Sequence, residues 1–224
     1  MSDIENIQTY FNENKYVVIR NVLSPDTCQI LYFYCINKAR AIDFKCFHEK
    51  AFYDPDWDGN FEDPQAYGAY SKYGDPLMDA LLMMLNGQVE QYTNLKLKPN
   101  YSYWRLYQYD QELKRHRDRD SCEISATICL GYDTSNIDTK VYPDYKWPMV
   151  VESKDREEGM PISLNPGDMI IYKGCEVDHW REKFLGLNHA QLFIHYNDEN
   201  GEYRNIYDGR PMIGIPKKYQ GVIK

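Results

Sequence analysis

The sequence predicts an α+β protein, a helical N-terminal portion leading into a mostly β core of antiparallel strands, and three observations carry that expectation. Helical periodicity is confined to the first hundred of the 224 residues. From Tyr101 onward come about half a dozen short, β-prone, turn-bounded segments with no helical pattern between them, which suits an antiparallel sandwich or barrel rather than a βαβ fold. The chain carries 21 Tyr against 8 Phe and 4 Trp, and Tyr favours half-buried strands because its ring packs while its hydroxyl stays solvated.

Each element follows from local chemistry. Tyr16-Val-Val-Ile-Arg20 is a β-prone run, and Ser24-Pro25 sets a capping residue and a first-turn proline ahead of a helix through Cys28 to Ala39. Phe47 to Gly74 has no clean period and reads as an irregular loop. Leu77, Leu81, Leu82 and Leu85 recur at spacings of three and four, marking an amphipathic helix from Asp75 to Tyr92. Strands are expected at Tyr101–Tyr109, Cys122–Leu130, Met149–Glu152, Ile162–Leu164, Met169–Tyr172 and Ala190–Tyr196, with a tight turn at Asn165-Pro-Gly-Asp168. One domain is expected, with residues 1–98 as helical support and loop, 99–198 as the β core and 199–224 as an extension.

Composition narrows the function. A net charge of −8 leaves no electrostatic footprint for a nucleic-acid backbone or an anionic membrane. No apolar run is long enough to span a bilayer and the start lacks a signal-peptide pattern, so the chain reads as cytoplasmic. Six cysteines with no C-x-x-C pair read as reduced core thiols.

Chemistry concentrates in Lys114-Arg-His-Arg-Asp-Arg-Asp-Ser121. In extended backbone, residues two apart share a face, so His116 and Asp118 present an imidazole and a carboxylate together. A distant histidine would complete a two-His-one-carboxylate metal site. His-Arg-Asp is also a kinase tripeptide, but Glu123 stands where a kinase needs Asn, and neither a Gly-rich loop nor Asp-Phe-Gly is present. Downstream, Asn165-Pro-Gly-Asp-Met-Ile-Ile-Tyr172 leads to His179. His189 and His195, inside the last strand, are rival ligands better read as core or pocket lining.

Taken together, the Arg105-Leu-Tyr107 segment, His116-x-Asp118, the Pro166-Gly-Asp168 turn, His179 and the final Gln191-Leu-Phe-Ile-His-Tyr196 strand resemble the iron(II)- and 2-oxoglutarate-dependent oxygenases, most closely their prolyl-4-hydroxylase-like branch. The resemblance implies a double-stranded β-helix (a jelly-roll, cupin-like core) with Fe(II) held by His116, Asp118 and His179. It also implies 2-oxoglutarate and O2 as cosubstrates, ascorbate in support, and oxidation of a small molecule or a peptidyl residue such as proline. Related halogenases replace the carboxylate with a small residue, so Asp118 favours hydroxylation. A catalytically silent barrel that binds a ligand or a partner protein is the competing reading.

One departure stands out. The family usually meets the far carboxylate of 2-oxoglutarate with Arg or Lys about ten residues beyond the distal histidine, where this chain reads Asn188-His189-Ala190. A buried carboxylate still needs a charged partner, and Arg105, Arg181 and His189 are the candidates, with Tyr107 as an added donor. Ser125 and Thr127 share strand parity with Glu123 and form a polar row for the pocket. Trp147 and the loop 133–146 are expected over the entrance, and the loops 54–72 and 133–146 are expected to set specificity.

Overall fold

The computed structural model describes residues 3–48, 52–153 and 156–222. Helix α1 (Asp3–Asn14) precedes strand β1 (Tyr16–Ile19), α2 (Pro25–Phe47), a one-turn α3 (Pro55–Asp58), β2 (Tyr70–Tyr73) and α4 (Pro76–Thr93). The strands β3 (Leu97–Gln108), β4 (Leu113–His116), β5 (Ile124–Asp133), β6 (Met149–Val151), β7 (Met160–Ile162), β8 (Met169–Lys173), β9 (His179–Arg181) and β10 (Asn188–Asp198) follow. Capping starts the long helices as the sequence indicates. The Thr27 amide donates to Ser24 Oγ at 3.2 Å ahead of α2, and the Leu77 amide donates to the Asp75 carboxylate at 3.1 Å ahead of α4, each with proline at the first helical position.

Two antiparallel sheets form the core, one in the order β1-β8-β5-β10-β3-β2 and the other β4-β9-β6-β7. Strand alternation separates the two faces of the larger sheet. Trp104, Leu106, Ile124, Ala126, Ile128, Leu192 and Ile194 pack on one face against Leu31, Cys35 and Ile42 of α2 and Met78, Leu82 and Leu85 of α4, each buried aliphatic contributing about 1.5–3 kcal/mol. The opposite face carries Tyr101, Tyr103, Arg105 and Tyr107 of β3, Ser125 and Thr127 of β5, and His189, Gln191, Phe193 and His195 of β10, and it closes against the smaller sheet. Chemistry is thereby sorted to the inside of the barrel and oil to the helices.

The Asn165–Asp168 turn braces this arrangement. Its Asp168 carboxylate accepts from the Asn165 amide (2.9 Å), the Asn21 amide (3.1 Å) and Arg20 (2.7 Å). At Gly167 (φ +91°) an added Cβ would stand 2.6 Å from the Leu23 carbonyl oxygen, so only glycine fits.

Several sequence expectations need correction. The stretch 47–74 is not irregular throughout: it holds α3 and β2, and β2 edges the large sheet with Tyr70 opposite Leu106 and Tyr73 opposite Tyr103. Helix α1, with Ile4, Ile7 and Phe11 at helical spacing, adds to the expected elements, and α2 runs on to Phe47. The strands β4 and β9 are too short for a periodic signal, yet they pair with each other and place His116 opposite His179. Since β1 and β2 both join the large sheet, the β core recruits strands from residues 1–98. The extension is tied down by Asp79, whose carboxylate accepts from the Ser102 amide (2.8 Å), the Ser102 hydroxyl (2.6 Å) and the Gly214 amide (2.6 Å). Among the described residues no helix is long and apolar enough to cross a membrane.

Candidate metal centre

Register brings the metal-type side chains together. His116 and His179 are paired across β4 and β9, and the Asp118 amide donates to the Gly174 carbonyl at 2.9 Å, turning its carboxylate between the two rings. His116 Nε2 and His179 Nε2 lie 3.7 and 3.6 Å from Asp118 Oδ1. Those separations are too long for hydrogen bonds, so three donor atoms, all within 4.8 Å of one another, converge without satisfying each other. Each imidazole donates its Nδ1 hydrogen to a backbone carbonyl, His116 to Lys114 at 2.7 Å and His179 to Val177 at 3.2 Å. That fixes the tautomer and leaves both Nε2 lone pairs facing Asp118.

Electrostatics keeps the ligand forms that a divalent ion needs. Burial lowers the His179 pKa against the opposing pull of Asp118, so the ring stays neutral. Burial works to raise that of Asp118, but the imidazoles of His179 and His195 and the Ser125 hydrogen bond outweigh it and hold the acid below its usual range. His195 is not in this trio: it lies behind Asp118, with burial taking its pKa down to about 4. A second convergent group, Asp118 with Cys122 and His195, shares the same carboxylate.

The trio lies in a cavity of about 490 Å³ whose walls include Tyr73, Tyr101, Tyr103, Arg105, Phe193 and His195. Its rim comes from Pro55 to Gln65 and from Lys217 of the extension. The loop 54–72, expected to bear on specificity, meets the entrance. The segment 133–146 does not, and Trp147 is displaced from its expected place over the mouth. Its indole is buried at the other end, against Tyr107, Phe184 and His189 at centroid distances of 4.9, 4.9 and 5.0 Å.

The three basic candidates now differ sharply. Arg105 is spent: Asp63, reaching in from the rim, accepts from its Nε at 3.0 Å and from its Nη2, Gln65 accepts at 2.8 Å, and Tyr103 donates to the same Asp63 oxygen at 2.6 Å. His189 is held neutral, its pKa driven far down by burial and by neighbouring Arg181. Arg181 is 2 % exposed, stacks over Trp147 at 4.7 Å and donates Nη1 to the Trp147 carbonyl at 2.7 Å. Among the described residues its Nε and Nη2 have no partner, nor do the amide atoms of Gln191 or Nδ1 of His189. Arg181 is thus a buried guanidinium with no carboxylate partner among the described residues, two residues along β9 from His179 and on the same face. Leu113, Tyr172 and Phe193 line the cavity, whereas Arg181 and Gln191 lie outside its lining; Leu113 is the register partner of Arg181.

Tyr107 is buried with its hydroxyl 3.3 Å from Arg105 Nη1. Thr127 is fully buried, outside the cavity lining. Ser125 faces inward, but its hydroxyl is engaged with Asp118, and Glu123 turns away to the Asp198 amide at 2.9 Å. The sequence carries no local signal for Asp63, Gln65 or Cys122 at the site, whereas strand parity places Gln191 on the inward face with His189.

No known protein-family model matches the chain, nor does any curated protein. Solved structures do. A Pseudomonas putida prolyl-4-hydroxylase superposes with a TM-score of 0.63 at 16 % identity, covering 87 % of this chain and 98 % of that one. The non-heme α-ketoglutarate-dependent carbocyclase SnoK from nogalamycin biosynthesis gives 0.62 at 16 % identity, over 96 % and 93 %. The fold is that of the 2-oxoglutarate- and iron(II)-dependent oxygenases. HygX from Streptomyces hygroscopicus, solved with nickel, 2-oxoglutarate and hygromycin B bound, shares this oxygenase fold at a TM-score of 0.57 and 12 % identity, over 89 % of this chain and 94 % of that one. At such identities the likeness is one of architecture, and the oxygenase fold serves hydroxylase and carbocyclase alike.

Proposed function

We propose that this protein is an Fe(II)- and 2-oxoglutarate-dependent dioxygenase, a hydroxylase of a small molecule or of a peptidyl residue such as proline. The observation that supports it most is the pairing of two unmet demands on one strand. Around His179 three donors of the right type converge unbonded, and at Arg181 a buried cation lacks its anion. Two imidazoles and one carboxylate leave room on a divalent ion for further ligands. Strand rise puts Arg181 roughly 6–7 Å beyond His179, a span suited to a five-carbon dicarboxylate chelating the metal at one end.

In this reading His116, Asp118 and His179 hold the iron. Arg181, with Gln191 also carrying buried, unpartnered amide atoms, takes the far carboxylate, and Tyr107, Trp147 and Phe184 keep water from that end. Bound iron and 2-oxoglutarate supply the oxidising chemistry, with dioxygen consumed as 2-oxoglutarate loses CO2 and becomes succinate. The protein's part is to orient the cosubstrate, exclude water and present the substrate through the cavity mouth, where Tyr73, Tyr101, Tyr103 and Phe193 give it an aromatic wall. Ascorbate serves as the supporting reductant. All six cysteines are free, which suits the cytoplasm.

Anaerobic titration with iron(II) and 2-oxoglutarate tests the proposal. One equivalent of each should bind with a weak visible charge-transfer band, lost in His179→Ala. Succinate should then form in air, supported by ascorbate, above the level of a His116→Ala control. Stoichiometric iron binding undiminished in His179→Ala removes that residue from the site, and wild-type protein that makes no more succinate than the control favours the silent barrel.

A further inference from the structure

The two oxygens of Asp118 have different surroundings. Oδ1 is the one nearest both imidazole Nε2 atoms. Oδ2 accepts from the Ser125 hydroxyl at 2.7 Å. That hydroxyl has a second acceptor in reach, the Cys122 carbonyl at 3.1 Å, but the shorter bond to the charged oxygen is the stronger. In either case the single Ser125 hydrogen points away from His195, whose Nδ1 lies 2.9 Å from Ser125 Oγ. His195 is therefore the donor in that contact, and it fixes the hydroxyl's direction. Close packing locks the group: a Cβ at Gly174 would stand 2.5 Å from Asp118 Oδ2 and 2.8 Å from Ser125 Oγ. The His195 ring is held in turn against Tyr101 at 4.5 Å.

We propose that Ser125, oriented by His195, is a positioning residue that keeps Asp118 bound to the metal through one oxygen only. This rests on the metal site proposed above. Its consequence is coordination arithmetic. On a six-coordinate ion, two imidazoles and one carboxylate oxygen would occupy three positions, a chelating 2-oxoglutarate would take two, and one would be left for a diatomic gas. If Oδ2 swings onto the metal, that last position is filled. The Ser125 hydrogen bond prevents this by giving Oδ2 a partner of its own, as outer-shell contacts commonly tune metal ligands.

The test uses nitric oxide, added anaerobically to the iron(II)·2-oxoglutarate complex, as a probe of the open position. Wild type should bind it. Ser125→Ala should keep or improve iron affinity while weakening nitric oxide binding by about tenfold, the low end of what a lost outer-shell partner costs in metal affinity or activity. Ser125→Cys, a weaker donor, should fall between. A merely structural role would lower iron, 2-oxoglutarate and nitric oxide binding together, with a loss of thermal stability. Nitric oxide affinity in Ser125→Ala equal to wild type overturns the inference, as does a parallel loss of all three ligands. If wild type takes up no iron(II) at all, it is the metal-site assignment that fails.

Discussion

Replacing Arg181 with methionine should stabilise the ligand-free protein and cripple 2-oxoglutarate binding, two effects that rarely come from one substitution. Methionine keeps the apolar stem. The change relieves two buried, unpartnered donors, Nε and Nη2, each costing about 1–3 kcal/mol. It forfeits the Nη1 bond to the Trp147 carbonyl, about 1.5–3 kcal/mol for a charged donor, and the stack on Trp147, about 1–2 kcal/mol. These roughly cancel. The balance is then set by the desolvation of a charge with no counter-ion, a cost of several kcal/mol. We expect a net gain of about 2 kcal/mol, which for a chain of this size raises Tm by about 4–8 °C. With 2-oxoglutarate the sign reverses, because its far carboxylate would be buried unpaired at a cost of about 3–5 kcal/mol, weakening affinity about a hundredfold or more. Calorimetry of the apo protein and isothermal titration of the metal-loaded one read the two effects separately. A variant that melts lower than wild type and binds 2-oxoglutarate within about threefold of it would refute the argument.

The remaining expectations are shorter. With an arginine anchor and a neutral His189, 2-oxoglutarate affinity should stay flat from pH 6 to 9 in both wild type and His189→Ala; a weakening toward pH 9 that vanishes in the variant would return the anchor to the histidine. Apo stability should fall in acid. His195 has a pKa of about 4 in the fold against about 6.5 unfolded, so below pH 6.5 the unfolded chain takes up the proton first. The stability present above that pH is lost as pH drops toward 4, by about 3 kcal/mol from this group alone. His179 and His189, whose pKa values are also depressed, act in the same sense. Urea titrations at pH 7 and pH 5 measure it, and equal stability at the two would contradict the buried-neutral assignment.

What the sequence by itself determined was whatever depends on local periodicity and spacing. Ser24 and Asp75 start their helices through bonds to amides two or three residues on, and Asn165 to Asp168 closes its own turn. Parity on the strands put His189, Gln191, Phe193 and His195 on one face and Ala190, Leu192 and Ile194 on the other. The His116-x-Asp118 spacing was legible for the same reason, while His179 was singled out by the resemblance to the oxygenase pattern, and the register of β4 with β9 brings the side chains together. The choice among Arg105, Arg181 and His189 was not legible, because each is a basic residue on an inward face and nothing in the sequence says which already has a partner. Tertiary structure separates them: the loop after α3 delivers Asp63 to Arg105 across 42 positions of sequence, while among the described residues no carboxylate pairs with Arg181, and that difference supports Arg181 as the proposed anchor. Trp147 was misplaced likewise, since its large apolar ring is equally suited to a lid or a core. Only the packing of Phe184 and Tyr107 around it closes that end of the barrel and leaves the other as the door.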